Sequence, residues 1–409
     1  MRNPLDYWFD EFHAPRVEGL EDFLEAASAG DLENARAILE TKQMDFWLKK
    51  LFEALLLEMG GDMSRALESI EYLDEKNFWI LYNKLRFYTA MSAFDMADEC
   101  EADLMQIELE REQMLRVKNE RGKRMWKKSQ YGEAMDNFTA VLEGAMELGD
   151  RGLEGNAYNN ISLALLATGD YLQAKDLLTK ALEAYASVDD ARGMAVTELN
   201  LGECCRMMGD WETARAFFNN CISSCQDLDG YTKERTGADC HWNLGQISFM
   251  ENDLEGARTE YEKALELGEK TSDEELMTRV DLSMALVSLE QKRIDEAQDW
   301  VEKAYASARA IGSKKYEAES YAMRGRIQEK QKRYAFALQS YGLATFLFRQ
   351  INDRYNMAKM EEAAGNIYLI QGDKERAIEY LRKAKAKYAA ISYTDFRMID
   401  AKLKKAEEI

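Results

Sequence analysis

Small residues recur along most of this chain at a near-fixed interval. They stand at Ala134, Ala174, Ala214, Ala257, Ala297, Ala337 and Ala377, in steps of 40, 40, 43, 40, 40 and 40 residues. Twelve residues before each lies a second small residue: Gly122, Ser162, Gly202, Gly245, Ala285, Gly325 and Gly365. Four residues after each comes a bulky apolar one: Phe138, Leu178, Phe218, Tyr261, Val301, Tyr341 and Leu381. Seven after, six of the seven are small: Ala181, Cys221, Ala264, Ala304, Ala344 and Ala384. Four columns in register over seven units do not arise by chance. No unit of this length buries its apolar face alone, so the units must stack on one another.

Composition says that the stacked units are helical. The 409 residues contain 2 Pro, at positions 4 and 15, where average usage would give about twenty. Proline is the strongest helix breaker and loops normally collect it, so its absence over nearly the whole length leaves a helical chain. Each unit then reads as two antiparallel helices. The turn falls between the two small columns, at Gly169-Asp170, Gly209-Asp210, Asn252-Asp253 and Gly372-Asp373. There Gly or Asn adopts left-handed φ and Asp caps the next helix. The small columns let the two axes approach, and the bulky residue fills the gap against the neighbouring unit. The expected fold class is all-α, a right-handed α-solenoid (superhelix) of antiparallel helix pairs.

The same reading divides the chain. Residues 1–16 form an aromatic and acidic segment containing Tyr7-Trp8-Phe9 and Phe12, read as a staple on the first hairpin or a docking element. Residues 17–108 carry a weaker pattern, with Ala35, Ala66 and Ala97 spaced 31 and 31, and Gly30-Asp31 and Gly61-Asp62 at two of the turns. They are expected to be acidic, degenerate helical hairpins that extend the stack, or a separate bundle. Residues 109–390 hold the seven repeats, and 391–409 a final capping helix with one polar face.

Charge excludes some partners. The net charge of −21 is uneven: residues 1–110 hold 25 Asp/Glu against 10 Lys/Arg, while Arg111 to Lys128 has eight basic residues and two acidic ones. The mean field repels nucleic acid, so phosphate-backbone binding over the whole surface is not expected. The longest uncharged runs, Gly155 to Gly169 and Tyr334 to Phe348, are 15 residues each, short of the roughly 18 that a membrane span needs. The first residues lack the build of a signal peptide. A cytoplasmic protein with reduced thiols is the expectation.

The columns resemble the tetratricopeptide repeat, whose Leu-Gly, then Ala-x-x-x-Phe pattern is matched at Leu201-Gly202 with Ala214 and Phe218, and at Leu244-Gly245 with Ala257 and Tyr261. The likeness covers about residues 113–390. The period is 40 rather than the family's 34, and the family's helix-ending Pro is absent, which implies longer helices. Long repeats of this sort are similar to the Leu-Gly-Asn (Pins-type) regulators, kinesin light chains and Rap-type regulators. The run Glu147 to Arg151, leading into Gly155-Asn156-Ala157-Tyr158-Asn159-Asn160, carries that likeness best.

In such stacks the first helices line the groove. Asn160, Asn200 and Asn243 occupy one column there, two residues before the small position, with Asn159 and Asn156 close by. A carboxamide both donates and accepts, so it can hold a peptide backbone whatever its side chains. In the related long-repeat families an Asn ladder clamps an extended peptide, and the resemblance implies that role here. The competing reading is that these Asn brace neighbouring helices. Arg116, Lys123 and Lys127 share a face one repeat earlier; they receive an acidic peptide or pair with the acidic first 110 residues. The carboxylate clamp of chaperone-binding repeats is not reproduced, because its places hold Asn119, Lys123 and Asn160, then Val196 and Asn200.

Five of six cysteines cluster, Cys204, Cys205, Cys221, Cys225 and Cys240, beside His241. Core packing is the main reading and a zinc site the lesser one, since Cys240 and His241 diverge by about 100° on a helix. No catalytic constellation, phosphate-cradling loop or cofactor motif is seen, so no enzyme activity and no cofactor are expected. The functional expectation is a scaffold holding a peptide or helix of another protein in its groove. The alternative is a peptide-sensing regulator of the Rap type, in which the ligand rearranges the amino-terminal region.

Overall fold

The computed structural model describes residues 15, 17–28, 31–228, 230–390 and 397–408. The segment containing Tyr7-Trp8-Phe9 and Phe12 therefore lies outside the described residues, as do His13, Gly30 and residues 391–396. Among the described residues there are helices and no strand.

Among the described residues six helices come first, in three antiparallel hairpins: α1 (Glu21–Ser28) with α2 (Leu32–Thr41), α3 (Phe46–Met59) with α4 (Met63–Glu71), and α5 (Phe78–Ala90) with α6 (Phe94–Leu104). Seven longer pairs follow: α7 (Arg111–Lys127) with α8 (Tyr131–Leu148), α9 (Arg151–Thr168) with α10 (Tyr171–Ala186), and α11 (Ala191–Met207) with α12 (Trp211–Ser224). A single 3₁₀ turn, Cys225–Asp227, leads to α13 (Gly230–Met250) with α14 (Leu254–Thr271). Then come α15 (Glu274–Glu290) with α16 (Ile294–Ala310), α17 (Lys314–Lys330) with α18 (Tyr334–Gln350), and α19 (Arg354–Gln371) with α20 (Lys374–Ala390). Helix α21 (Arg397–Glu408) is the last of the described elements. This is a helical-repeat solenoid architecture.

The chain divides into two compact units, residues 1–244 with 270–272, and residues 245–269 with 273–409. In both, the columns do what their residue types require. All seven Ala of the first column are fully buried. Gly169, Gly209, Asn252 and Gly372 take positive φ of 88°, 80°, 64° and 75°. The Asp after each accepts from a backbone N–H of the next helix: Asp170 from Gln173, Asp210 from Thr213, Asp253 from Gly256 and Asp373 from Arg376. Such caps satisfy donors that a helix start leaves orphaned, each worth about 1 kcal/mol.

The bulky column differs in detail from the expectation. Its first contact is inside its own pair. A Cβ built on Gly122, Gly202, Gly245 or Gly325 would lie 2.4–2.5 Å from the ring of Phe138, Phe218, Tyr261 or Tyr341, sixteen residues on. The missing Cβ leaves a slot across the first helix, and the ring of the second helix closes it before any neighbour is reached.

In the first unit one apolar cluster runs from Leu20 through the three hairpins to Val117 on α7, with Phe23 edge-on to Phe52 at 5.3 Å. Charge ties the same elements. Arg124 of α7, 2% exposed, pairs with Glu101 and Asp98 of α6, and Arg121 with Glu101. Lys128 reaches Asp98 at 3.6 Å. Part of the basic run on α7 is thus spent on the acidic hairpins. In the second unit α21 lays Ile399 and Ala406 against a cluster with Leu381 and Tyr388 of α20.

Candidate functional site

The first helices α7, α9 and α11 bring the asparagines together in the first unit. Their order follows from the period: Asn119 and Asn160 are 41 residues apart, as are Asn159 and Asn200, one more than the repeat. Equivalent faces of consecutive first helices therefore present amides to one another. Asn160 Nδ2 donates to Asn119 Oδ1 at 2.9 Å, and Asn200 Nδ2 donates to Asn159 Oδ1 at 2.9 Å. Asn243 of α13 accepts from Arg206 Nε at 3.0 Å and donates to the Asp239 carbonyl at 3.0 Å. Asn159, Asn200 and Asn243 are buried, and Asn160 is half-buried.

The two Asn–Asn bonds and the Arg206–Asn243 bond brace neighbouring repeats, while the Asn243–Asp239 bond lies within α13. They do not exhaust the amides, because a carboxamide offers two N–H donors and two acceptor lone pairs. No atom of these asparagines is among the buried polar atoms left without a partner. In Asn159, Asn160 and Asn200 the amide atom that these bonds leave unused is therefore not sealed from solvent, whereas both amide atoms of Asn243 are bonded. Asn119 and Arg206, the partners across the helices, were not singled out as candidates from the sequence; the 41-residue spacing was the signal for the first.

The basic face is spoken for. Arg116 is 8% exposed and makes two bonds to Glu112 Oε1, at 3.0 and 2.8 Å. Lys123 pairs with Glu120 at 2.7 Å, and Lys127 donates to the Ala90 carbonyl of α5 at 2.6 Å. Lys123 and Lys127 nevertheless line a hollow of about 260 Å³ between the hairpins and α7, with Glu58, Arg86, Thr89 and Glu120 around it. Arg86 bridges Glu58 and Asn83 there, at 2.6 Å to each. The Thr89 hydroxyl has no partner.

The cysteines are all unpaired and buried. Hydrogen bonding with Cys221 and burial push the Cys225 thiol well above its ordinary range, so it stays protonated and unreactive. Cys221 Sγ donates to the Ala195 carbonyl at 3.1 Å. Among the described residues no three His, Cys, Asp or Glu side chains are arranged for a metal ion, and no helix is long and apolar enough to cross a membrane.

Comparison with known proteins agrees with this geometry. The tetratricopeptide repeat family matches residues 193–270, and again residues 155–187 and 362–386. No curated protein sequence matches. The apo quorum sensor NprR from B. thuringiensis superposes with a TM-score of 0.58 at 18% identity, over 90% of this chain and 97% of that one. Aspartyl phosphate phosphatase F from Bacillus subtilis gives 0.59 at 12% identity, over 87% and 97%. The Rap conjugation gene regulator of plasmid pLS20, in complex with the Phr* peptide, gives 0.56 at 13%, over 87% and 95%. At these identities the likeness is one of fold. The chain carries tetratricopeptide repeats at residues 155–187, 193–270 and 362–386, and its fold is similar to that of the Rap and NprR proteins.

Proposed function

We propose that the protein is an interaction scaffold of the cytoplasm, in which residues 109–390 form the repeat body, 17–108 accessory hairpins and 391–409 a cap. It holds an extended segment of another protein along the first helices, with Asn159, Asn160, Asn200 and Asn243 reading the peptide backbone. The observation that carries this is the Asn ladder: Asn159, Asn160 and Asn200 are each fixed by one bond and keep one amide atom for a ligand, while Asn243 is fixed by two. Fixing a side chain beforehand lowers the entropy lost on binding, so bracing and peptide contact are two uses of one amide. The chemistry gathered here holds a polyamide. Binding is the function that such chemistry serves.

One observation favours a second reading, a peptide-sensing regulator. Lys123 and Lys127 stand one repeat before the ladder and also contact the acidic hairpins, through the Ala90 carbonyl and the hollow beside Glu58 and Arg86. A ligand that drew these lysines away would loosen α7 from α5. Several structures of similar fold hold a peptide, such as NprR with its cognate peptide NprX.

The test is selection of random 12-residue peptides on the immobilised protein, followed by calorimetric titration of those enriched. The Asn160→Ala, Asn200→Ala, Asn243→Ala triple variant should bind them about tenfold more weakly or worse. Undiminished affinity in the folded variant sinks the ladder reading. Small-angle scattering separates the two functions, since a scaffold keeps its dimensions on binding and a sensor changes them.

A further inference from the structure

The second helices of the seven repeats share one register, so each is a control for the others. Helix α18 departs from them on its outward face. Phe336, Leu343 and Phe346 are 51%, 41% and 56% exposed. At the Phe336 and Phe346 positions the other six second helices carry nothing apolar larger than Ala. At the Leu343 position four of the six carry Lys: Lys180, Lys263, Lys303 and Lys383. A patch of this kind, absent from six equivalent helices, is not a requirement of the repeat.

Gly342 lies in the middle of that face. A mid-helix glycine weakens a helix and is kept where something must come close. Gly122, Gly202, Gly245 and Gly325 of the first helices are explained by the rings that cover them, and Gly365 by Leu381. Gly342 is not, because a Cβ there would meet nothing within 4 Å. The equivalent residues elsewhere are Thr139, Thr179, Asn219, Glu262, Glu302 and Arg382, all with polar side chains. The open space above Gly342 is one side of a groove of about 520 Å³ between α18 and α20, lined also by Phe346, Tyr368 and Tyr380.

Charge decides the occupant. Arg349 and Lys383 stand at the edge of this groove and of an adjoining hollow of about 380 Å³, which Arg354 also lines. Glu361, the acid in the groove, is held by Lys387 at 2.7 Å through both oxygens. Arg349 and Arg354 are exposed and have no carboxylate partner among the described residues. Residues 311–409 hold 20 Lys/Arg against 13 Asp/Glu in a chain of net −21. Two copies meeting face to face here would bring cationic rims together, which disfavours a symmetric dimer.

We propose that the α18 face is a second docking site, taking an amphipathic helix of a partner protein whose flanks are acidic. The apolar side of that helix lies over Phe336, Leu343 and Phe346. Its backbone comes close at Gly342, and its carboxylates meet Arg349 and Arg354, since Lys383 already pairs with Glu379. The spacing of seven and three residues along α18 matches the faces used when a helix packs in a groove.

The probe is a synthetic 17-residue amphipathic helix with Leu and Phe on one face and Glu on its flanks, compared with a Lys-flanked counterpart by fluorescence anisotropy. Gly342→Glu copies Glu262 and Glu302, fills empty space and favours the helix, so its melting temperature should equal or exceed that of the native protein. We expect the Glu-flanked probe to bind about tenfold tighter than the Lys-flanked one, and Gly342→Glu to weaken it about tenfold or more. Phe346→Ser, which copies Ser223, serves as the second variant and should give the same loss if Gly342→Glu fails to fold. Equal affinity for both probes, or unchanged affinity in either folded variant, overturns the proposal. So does sedimentation equilibrium showing a dimer of the native chain that Gly342→Glu abolishes, since the face would then belong to a second copy.

Discussion

Asn200 donates its side-chain amide to Asn159 Oδ1 at 2.9 Å, joining two consecutive first helices through residues 41 positions apart. The bond sets the orientation of both amides. Asn200→Ala removes it and leaves the Asn159 oxygen without its donor, at a cost of about 1–2 kcal/mol. Urea unfolding should show that loss with an unchanged slope. A cost near zero would mean that water replaces the bond fully.

Gly325 and Tyr341 are matched in shape. A Cβ on Gly325 would approach Tyr341 Cε1 to 2.5 Å, so Gly325→Ala must push the ring off its helix. Overpacking of this kind costs about 1–3 kcal/mol. Adding Tyr341→Leu, the residue type that Leu178 supplies opposite Ser162, which carries a Cβ, should recover part of the loss. Additive losses in the double variant would show that the two residues do not compete for the same space.

Arg124 is held by Glu101 and Asp98, with Arg124 at 2% and Glu101 at 6% exposure. Glu101→Ala leaves the buried guanidinium with Asp98 alone, and removing one partner of a buried pair costs about 3–5 kcal/mol. Thermal melts should fall clearly. The equivalent change at Lys383, in an exposed pair with Glu379, should stay within about 1 kcal/mol.

Asp281 of α15 is fully buried, and one of its oxygens has no hydrogen-bond partner. Burial raises its pKa from 3.8 to about 6, against the pull of Lys303 at 3.0 Å and with a small push from Glu274 and Glu269. The folded state therefore holds this proton at a higher pH than the unfolded state. Stability is greatest below the unfolded pKa and declines as pH rises from about 4 through about 6. Asp281→Asn should match the native protein at pH 4 and exceed it at pH 7 by about 1–3 kcal/mol. A variant less stable at pH 7 would show that the Lys303 pair outweighs the cost of burial.

The six cysteines are buried thiols, so a water-soluble thiol reagent at pH 8 should label them only as fast as the protein opens. All six should react at once in strong denaturant. Rapid labelling of Cys221 or Cys225 in the native protein would show that these thiols are accessible and reactive.

Much of the architecture was legible in the residues alone. The Ala and Gly columns, the Gly-Asp and Asn-Asp turns and the shortage of Pro act through local geometry and nearest-neighbour packing, which a one-dimensional stack repeats unit by unit. Gly372 takes its left-handed φ, and Asp373 caps the next helix, for reasons contained within a few residues. Tertiary structure decided what crosses between helices. It turned the ring of Tyr341 onto its own pair, closed Asn160 on Asn119, and drew Lys127 to the Ala90 carbonyl. It also left Gly342 facing open space where a sequence shows only one more glycine. Periodicity tells which face of a helix turns inward, but a hydrogen bond or a hollow depends on where a second helix lies to within an ångström, and only packing sets that distance.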